Sequence, residues 1–201
     1  MRSVQVLLLV KGALTKMKNK IRQECKQKRA EMKQQEVLKK SLSATKLFLE
    51  SDIYRNSKNI MLYMPLRNEI STQEIIKSAH KDNKTVLVPI TDRESFQITA
   101  HKINEDTEFT KGVFSLTEPK GQDVYDVRKI DTIIVPGVAF DIRGARVGFG
   151  KGCYDKFLEN ASATLVGYCY DFQLYDKIET EEFDIRMDYI LTEKEIIVCN
   201  Q

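Results

Sequence analysis

The stretch IDTIIVPGVAFDIRGARVGFGKGCYDKFLE, Ile130 to Glu159, decides the fold. Ile130, Ile133, Ile134 and Val135 make a short apolar, β-branched run that stops at Pro136-Gly137, the pattern of a buried strand ending in a loop. A glycine cluster follows, Gly144, Gly148, Gly150 and Gly152, with Arg146 and Lys151 set among the glycines. Tyr154, Phe157 and Leu158 then share one face of a helix whose first turn contains Asp155.

Strand, glycine turn and helix start form an arrangement that binds phosphate. Glycines remove the Cβ atoms that would keep an anion away from the backbone amides, and the free N–H groups at a helix start point at that anion. Lys151 and Arg146 add charge-assisted contacts. Asp155 repels a bare phosphate and so suits Mg²⁺ travelling with a nucleotide. The common fingerprints are absent: a Walker A loop needs Gly at position 145 and Ser or Thr at 152, where the chain has Ala145 and Gly152, and the G-x-G-x-G spacing lacks the third glycine of the dinucleotide pattern. Spacing alone leaves two readings open, a phosphate cradle and a plain flexible loop between strand and helix.

The run VPGVAFDIRGARVGFGKGCYDKFL, Val135 to Leu158, resembles the signature of 5-formyltetrahydrofolate cyclo-ligases, also called 5,10-methenyltetrahydrofolate synthetases. Outside it, Lys18-x-x-x-Arg22 resembles that family's amino-terminal ATP contact, and MLYMPLRNEIST (Met61 to Thr72) its folate-contacting strand and turn. Glu118-Pro119 resembles its mid-chain Glu-Pro and FDIRMDYILTE (Phe183 to Glu193) its closing segment, so the similarity extends from about Met17 to Val198. The chain departs from the pattern at Phe149, where some members are basic; at Cys153, usually aromatic; at Ile90 and Thr91; and at Phe114-Ser115, where a glycine-containing segment is usual.

The resemblance implies ATP- and Mg²⁺-dependent closure of 5-formyltetrahydrofolate, with or without a polyglutamate tail, to 5,10-methenyltetrahydrofolate by a cytoplasmic monomer. It implies that Gly148, Gly150 and Gly152 cradle the ATP phosphates, joined by Lys18, Arg22, Arg146 and Lys151, with Arg146 and Lys151 catalytic. Met64, Glu69 and Tyr154 are expected to hold the folate, Tyr154 touching ATP as well, and Asp155 and Asp188 to hold Mg²⁺. Other readings are a different ATP-dependent ligase or kinase, a non-catalytic folate- or nucleotide-binding regulator and, furthest away, a nucleic-acid-binding module.

Composition narrows these choices. The 201 residues fit one domain, and no apolar run approaches the roughly 20 residues of a membrane span. Cys25, Cys153, Cys169 and Cys199 have no metal-ligand spacing and suit free thiols in a reducing compartment. Lys16 to Lys46 carries eleven Lys/Arg against three Glu. Those charges alternate with apolar residues and no nucleic-acid motif accompanies them, so they read as the wet faces of helices. The basic start and the run Val6 to Val10 are too short for a signal peptide. Residues 1–16 are expected to be a disordered extension, leaving 17–201 as the single domain.

Helical spacing from Lys18 to Glu50 predicts two helices broken near Lys33 to Gln35, and Thr72 to Asp82 a third, with Ser71-x-x-Glu74 as its capping box. Asn59 to Met64, Thr85 to Ile90, Thr164 to Tyr170 and Tyr189 to Thr192 read as strands, Phe96 to Ile103 as a peripheral one and Glu195 to Cys199 as an edge. Alternation of this kind predicts an α/β fold: an open, largely parallel sheet with helices on both faces, a Rossmann-like three-layer arrangement with the amino-terminal helices packed beside it. Ligands then gather beyond the carboxyl ends of the strands, where the loops after Met64, Val135 and Cys169 meet.

Overall fold

The computed structural model describes residues 2–112, 116–121, 123–181 and 183–199, with side chains from residue 12 onward. Two helices open the chain, α1 (Arg2–Glu31) and α2 (Gln34–Leu49), followed by the short α3 (Asp52–Asn56). The break between α1 and α2 falls where the sequence puts it. The start does not: the helix expected from Lys18 begins at Arg2 and takes in the stretch expected to be disordered. From Lys18 the stripe Lys18, Ile21, Cys25, Arg29 is buried at intervals of three and four, one face of a helix. Two cations lie in that buried stripe.

The sheet strands are β1 (Asn59–Met61), β2 (Thr85–Thr91), β3 (Ile98–Ile103), β6 (Val124–Tyr125), β7 (Thr132–Pro136), β10 (Thr164–Tyr168), β12 (Tyr189–Leu191) and β13 (Ile196–Val198), in the spatial order β13-β12-β10-β7-β1-β2-β3-β6. The five strands from β12 to β2 are parallel, while β13 and β3 run antiparallel to them on either side and β6 pairs antiparallel with β3 at the edge. From β1 the chain moves outward to β2 and later returns to β7 on the other side of β1. Between β1 and β7, therefore, the winding reverses, and a crevice opens at the carboxyl ends of these two strands.

The parallel strands are apolar on both faces because both faces are covered. Ile60, Val86, Ile134 and Val166 pack under α2, α3 and α4 (Gln73–Lys81), against Phe48, Tyr54, Ile75 and Ala79. Their neighbours Met61, Leu87, Ile133 and Leu165 face the other way, against Phe157 and Leu158 of α5 (Cys153–Leu158). The capping box expected at α4 does not form. Its N-cap is Thr72, whose hydroxyl donates to Tyr63 O at 2.7 Å and accepts no hydrogen bond from the helix.

Three short strands escaped the sequence pattern: β8 (Ala139–Asp141), β9 (Arg146–Val147) and β11 (Leu174–Tyr175) form a second sheet in the order β11-β8-β9. Two or three residues are too few to display a period of two. This small sheet carries the glycine turn and packs on α1 through Ile21, Cys25, Ala139 and Val147. It is fastened to the main sheet by the fully buried Phe140, whose ring lies 2.4 Å from where a Cβ on Gly137 would fall and 2.6 Å from one on Gly167. Burying such a ring contributes about 2–3 kcal/mol, and truncating it to alanine typically costs about 3–5 kcal/mol. In the region expected to be irregular, β4 (Phe109–Lys111) pairs with β5 (Thr117–Pro119). Glu118 there is buried and accepts from Thr91 N at 2.9 Å, holding the end of β2; Phe114 and Ser115 lie outside the described residues.

Candidate functional site

Two cavities meet at the crevice. The inner one, about 250 Å³, is walled by Tyr63, Met64, Leu66 and Glu69 from the loop after β1, Pro89 and Thr91 from β2, Pro136 from β7, and Lys151, Cys153 and Tyr154 from the glycine turn and α5. The outer one, about 690 Å³, is polar and lies between α1 and the turn, with Lys18, Arg22 and Lys26 on one side and Gly150, Gly152, Glu181 and Asp184 on the other. Arg146, Gly148, Phe149 and Asp155 line both. The turn and Glu69 thus face one space.

The turn adopts its shape because two glycines allow it. Gly150 has φ +100° and Gly152 φ +66°, left-handed values that other residues adopt at a cost of about 1–2 kcal/mol. A Cβ on Gly152 would meet nothing within 4 Å, so the space beside its α-carbon is open. Gly152 is the N-cap of α5 and supplies no side-chain cap, leaving the first N–H groups of the helix available to a ligand. With only six residues, α5 brings a weak dipole, and binding rests more on the surrounding cations than the sequence pattern suggests.

The base of the turn is pinned from a distance. Asp141, 1% exposed, accepts from Arg143 N at 3.0 Å and Ala145 N at 2.8 Å through Oδ1, and from Ile178 N at 2.8 Å through Oδ2. Met187 N donates to Gly144 O at 2.8 Å, so both props come from chain well beyond the signature.

Arg146 forms the partition between the cavities. Its side chain is almost fully buried; Nη2 donates to Asp155 Oδ1 at 2.7 Å, Nη1 reaches Pro136 O at 3.4 Å, and the guanidinium lies 5.6 Å from the centre of the Tyr154 ring. Its Nε is buried with no partner among the described residues. A buried unpaired donor is costly.

Lys18 and Arg22 both reach the outer cavity, but neither waits free. Lys18 Nζ donates to Asp184 Oδ2 at 2.6 Å and to Glu181 Oε2 at 3.4 Å, and Arg22 Nε donates to Gly148 O at 2.8 Å, clasping the turn to α1. Lys151 and Tyr154 line the inner cavity and not the outer one. Lys151 is exposed, its ammonium 5.3 Å from the Phe96 ring centre. Burial pushes the Tyr154 hydroxyl well above the ordinary phenol value and the Cys153 thiol up, which suits packing and not a nucleophile.

Glu69 is buried and already engaged: Oε1 accepts from Arg29 Nη1 at 3.2 Å and Oε2 from Leu66 N at 2.9 Å. Sequence reasoning missed Arg29, although a cation on the buried stripe of α1 was the signal for it. It also missed Glu181 and Asp184, whose acids answer Lys18.

The metal expectation divides. Asp155 lines both cavities, and a Mg²⁺ carried by phosphates needs only one or two protein carboxylates, so Asp155 fits. Asp188 does not belong with it: Oδ2 accepts from Leu165 N at 2.7 Å and its backbone N donates to Leu165 O at 2.9 Å, at the start of β12 and β10, the end of the sheet away from the crevice. It lies there because it joins two parallel strands at their amino ends. No group of three His, Cys, Asp or Glu among the described residues is arranged to hold a metal.

Fold and site define an α/β enzyme whose two adjoining cavities lie at the point where its sheet reverses. The family profile of 5-formyltetrahydrofolate cyclo-ligases matches residues 14–193, and the chain belongs to that ligase family. It is 32% identical over 187 residues to the 5-formyltetrahydrofolate cyclo-ligase of Haemophilus influenzae, an alignment covering 88% of this chain and 98% of that one. The mouse enzyme of the same name is 27% identical over 189 residues, with 88% and 93% covered. The solved structure of Aquifex aeolicus 5,10-methenyltetrahydrofolate synthetase superimposes with a TM-score of 0.82 at 28% identity, covering 92% of this chain and 94% of that one.

Proposed function

We propose that the protein closes 5-formyltetrahydrofolate to 5,10-methenyltetrahydrofolate at the expense of MgATP, with the pterin in the inner cavity and the triphosphate in the outer one. One observation carries this reading: a cavity containing a buried carboxylate and a cavity built from a glycine turn and cations share a single wall, and in that wall the Nε of Arg146 lacks a partner among the described residues.

The chemistry explains why two cavities must touch. N10 of the folate attacks the formyl carbon, and the formyl oxygen must then leave. As hydroxide it leaves poorly at neutral pH. Attack of that oxygen on the γ-phosphorus breaks the bond to ADP and makes a phosphate ester; the C–O bond then breaks with release of inorganic phosphate, N10 loses its proton, and the methenyl bridge remains. No protein nucleophile is needed, so the task is alignment and charge neutralisation.

Arg146 at the partition and Lys151 beside the inner cavity stabilise the transferring group; Gly148, Gly150 and Gly152 present amides to the phosphates, while Lys18 and Arg22 balance their charge. Glu69, Met64 and Tyr154 hold the pterin. Asp155 would hold Mg²⁺, which supplies charge neutralisation between the β- and γ-phosphates when bound. Among the described residues no helix is long and apolar enough to cross a membrane, and all four cysteines are free thiols, which supports the cytoplasmic reading. Mixing purified protein, MgATP and 5-formyltetrahydrofolate should raise the near-ultraviolet absorbance of the conjugated methenyl product only when ATP is present. Absence of that signal with both ligands bound would remove the proposal.

A further inference from the structure

α1 carries a cation into the interior that the phosphate-binding roles of Lys18 and Arg22 leave unused. Arg29 is 9% exposed, and its Nη1 donates to Glu69 Oε1 at 3.2 Å. The same residue is used a second time through its backbone. Asn68 Nδ2 donates to Arg29 O at 2.8 Å and to Met32 O at 3.1 Å, closing two of the carbonyls left open where α1 ends, and Gln34 Nε2 holds Asn68 Oδ1 at 3.0 Å. The loop from 65 to 70 is therefore bolted to α1 at two successive residues, by amide at Asn68 and by carboxylate at Glu69. With Oε2 taken by Leu66 N, each carboxylate oxygen has one protein donor, and a carboxylate oxygen can accept two. Each oxygen therefore has the capacity for one further donor, as many as a pair of adjacent N–H groups would supply.

A carboxylate buried to this extent would neutralise itself unless a partner held its charge. Burial does push Glu69 up, and Arg29 is the largest influence opposing it. The other groups facing it supply no charge of their own: Tyr63 after β1, Tyr154 on α5 and Tyr170 after β10 are all pushed up by burial and stay protonated. Gln173 is neutral, Arg146 across the cavity is committed to Asp155, and Lys151 stands exposed beside the cavity.

We infer that Arg29 is a positioning residue for the folate, which orients Glu69 and keeps it a double acceptor for the N–H edge of the pterin without touching substrate itself. This rests on the reading of the inner cavity as the folate site. Consequently the helix that reaches the nucleotide with its middle also sets the chemistry of the pterin pocket with its end.

Kinetics and folate binding of Arg29→Met, Arg29→Lys and the double variant Arg29→Met/Glu69→Gln, followed from about pH 6 to pH 9, test it. Removing Arg29 raises the Glu69 pKa, so the carboxyl is protonated below that value and ionised above it. In Arg29→Met the KM for 5-formyltetrahydrofolate should rise about 10- to 100-fold at the acidic end and recover as the pH climbs, with the KM for ATP unmoved. Arg29→Lys should restore a flat profile. The double variant has no titrating carboxyl and no unpaired buried charge; it should fold, show no pH dependence of KM, and lose no more than Glu69→Gln alone. A pH-independent loss in Arg29→Met, equal damage to both substrates, or a double variant whose loss is the product of the single losses would overturn the inference. Should Arg29→Met fail to fold, the comparison of the double variant with Glu69→Gln still decides. A parent protein that binds folate without converting it defeats the proposed reaction and leaves the Arg29 arms readable as dissociation constants. A parent that binds no folate defeats both.

Discussion

Replacing Lys151 by alanine separates a catalytic cation from a structural one. Its side chain is exposed, and among the described residues no carboxylate pairs with it; the contact of note is the Phe96 ring, 5.3 Å from the ammonium. An exposed contact of that kind is worth about 0.5–1 kcal/mol, so the melting temperature should fall by no more than about 1–4 °C. Turnover should suffer far more. A unit positive charge about 4 Å from a phosphoryl oxygen, at an effective dielectric near 20, contributes about 4 kcal/mol. Losing one preorganised donor in other enzymes costs about 10²- to 10³-fold in kcat, or about 2.7–4 kcal/mol, and the two figures agree. Initial rates at saturating MgATP and 5-formyltetrahydrofolate, read as methenyl absorbance beside a thermal melt, give both quantities from one preparation. A kcat within about a factor of two of the parent would refute the reasoning, because the lysine would then add less than about 0.5 kcal/mol to the transition state.

Glu69→Gln should raise the KM for 5-formyltetrahydrofolate about 10- to 100-fold and leave ATP affinity within about twofold, the scale of hydrogen bonds to a charged group, and isothermal titration with each ligand separately would reveal equal damage to both. Gly144→Ala should destabilise the protein by about 2 kcal/mol or more, seen as a drop of several degrees in melting temperature: φ is +85° there, and the new Cβ would fall 2.3 Å from Met187 O. A chain beginning at Met17 keeps Lys18, Arg22 and Arg29 on α1, and its kcat/KM should stay within about twofold of the full-length value. A tenfold loss would make residues 1–16 part of the working domain.

The parts of the fold legible in the sequence are those whose periodicity runs long enough to be read. The run from Ile130 to Val135 announced β7, the spacing from Val37 to Phe48 announced α2, and the alternation of such elements announced a parallel sheet, which is what the structure has. Elements of two or three residues, β8, β9 and β11, left no trace because their shape comes from tertiary pairing and not from local preference. Site residues divide along a similar line. Gly150 and Gly152 were legible as turn residues, and both have positive φ, because a turn constrains residue type over consecutive positions. Arg29 and the Glu181–Asp184 acids were hidden because their roles depend on pairing across 40 residues in one case and more than 160 in the other. Asp188 was misplaced for the opposite reason: a sequence window shows that an acid is present, but not which end of a strand it stands on.

The pinning of the glycine turn by Ile178 and Met187 limits what its signature can do alone. Cutting Val135 to Leu158 out and grafting it onto another scaffold would transfer its glycines together with Arg146 and Lys151, yet Asp141 would lose a donor and Gly144 the amide that docks on its carbonyl. The shape of the turn therefore belongs to the finished chain. During synthesis it arises only after the chain has emerged past Met187 and folded back, although the signature itself ends at Leu158.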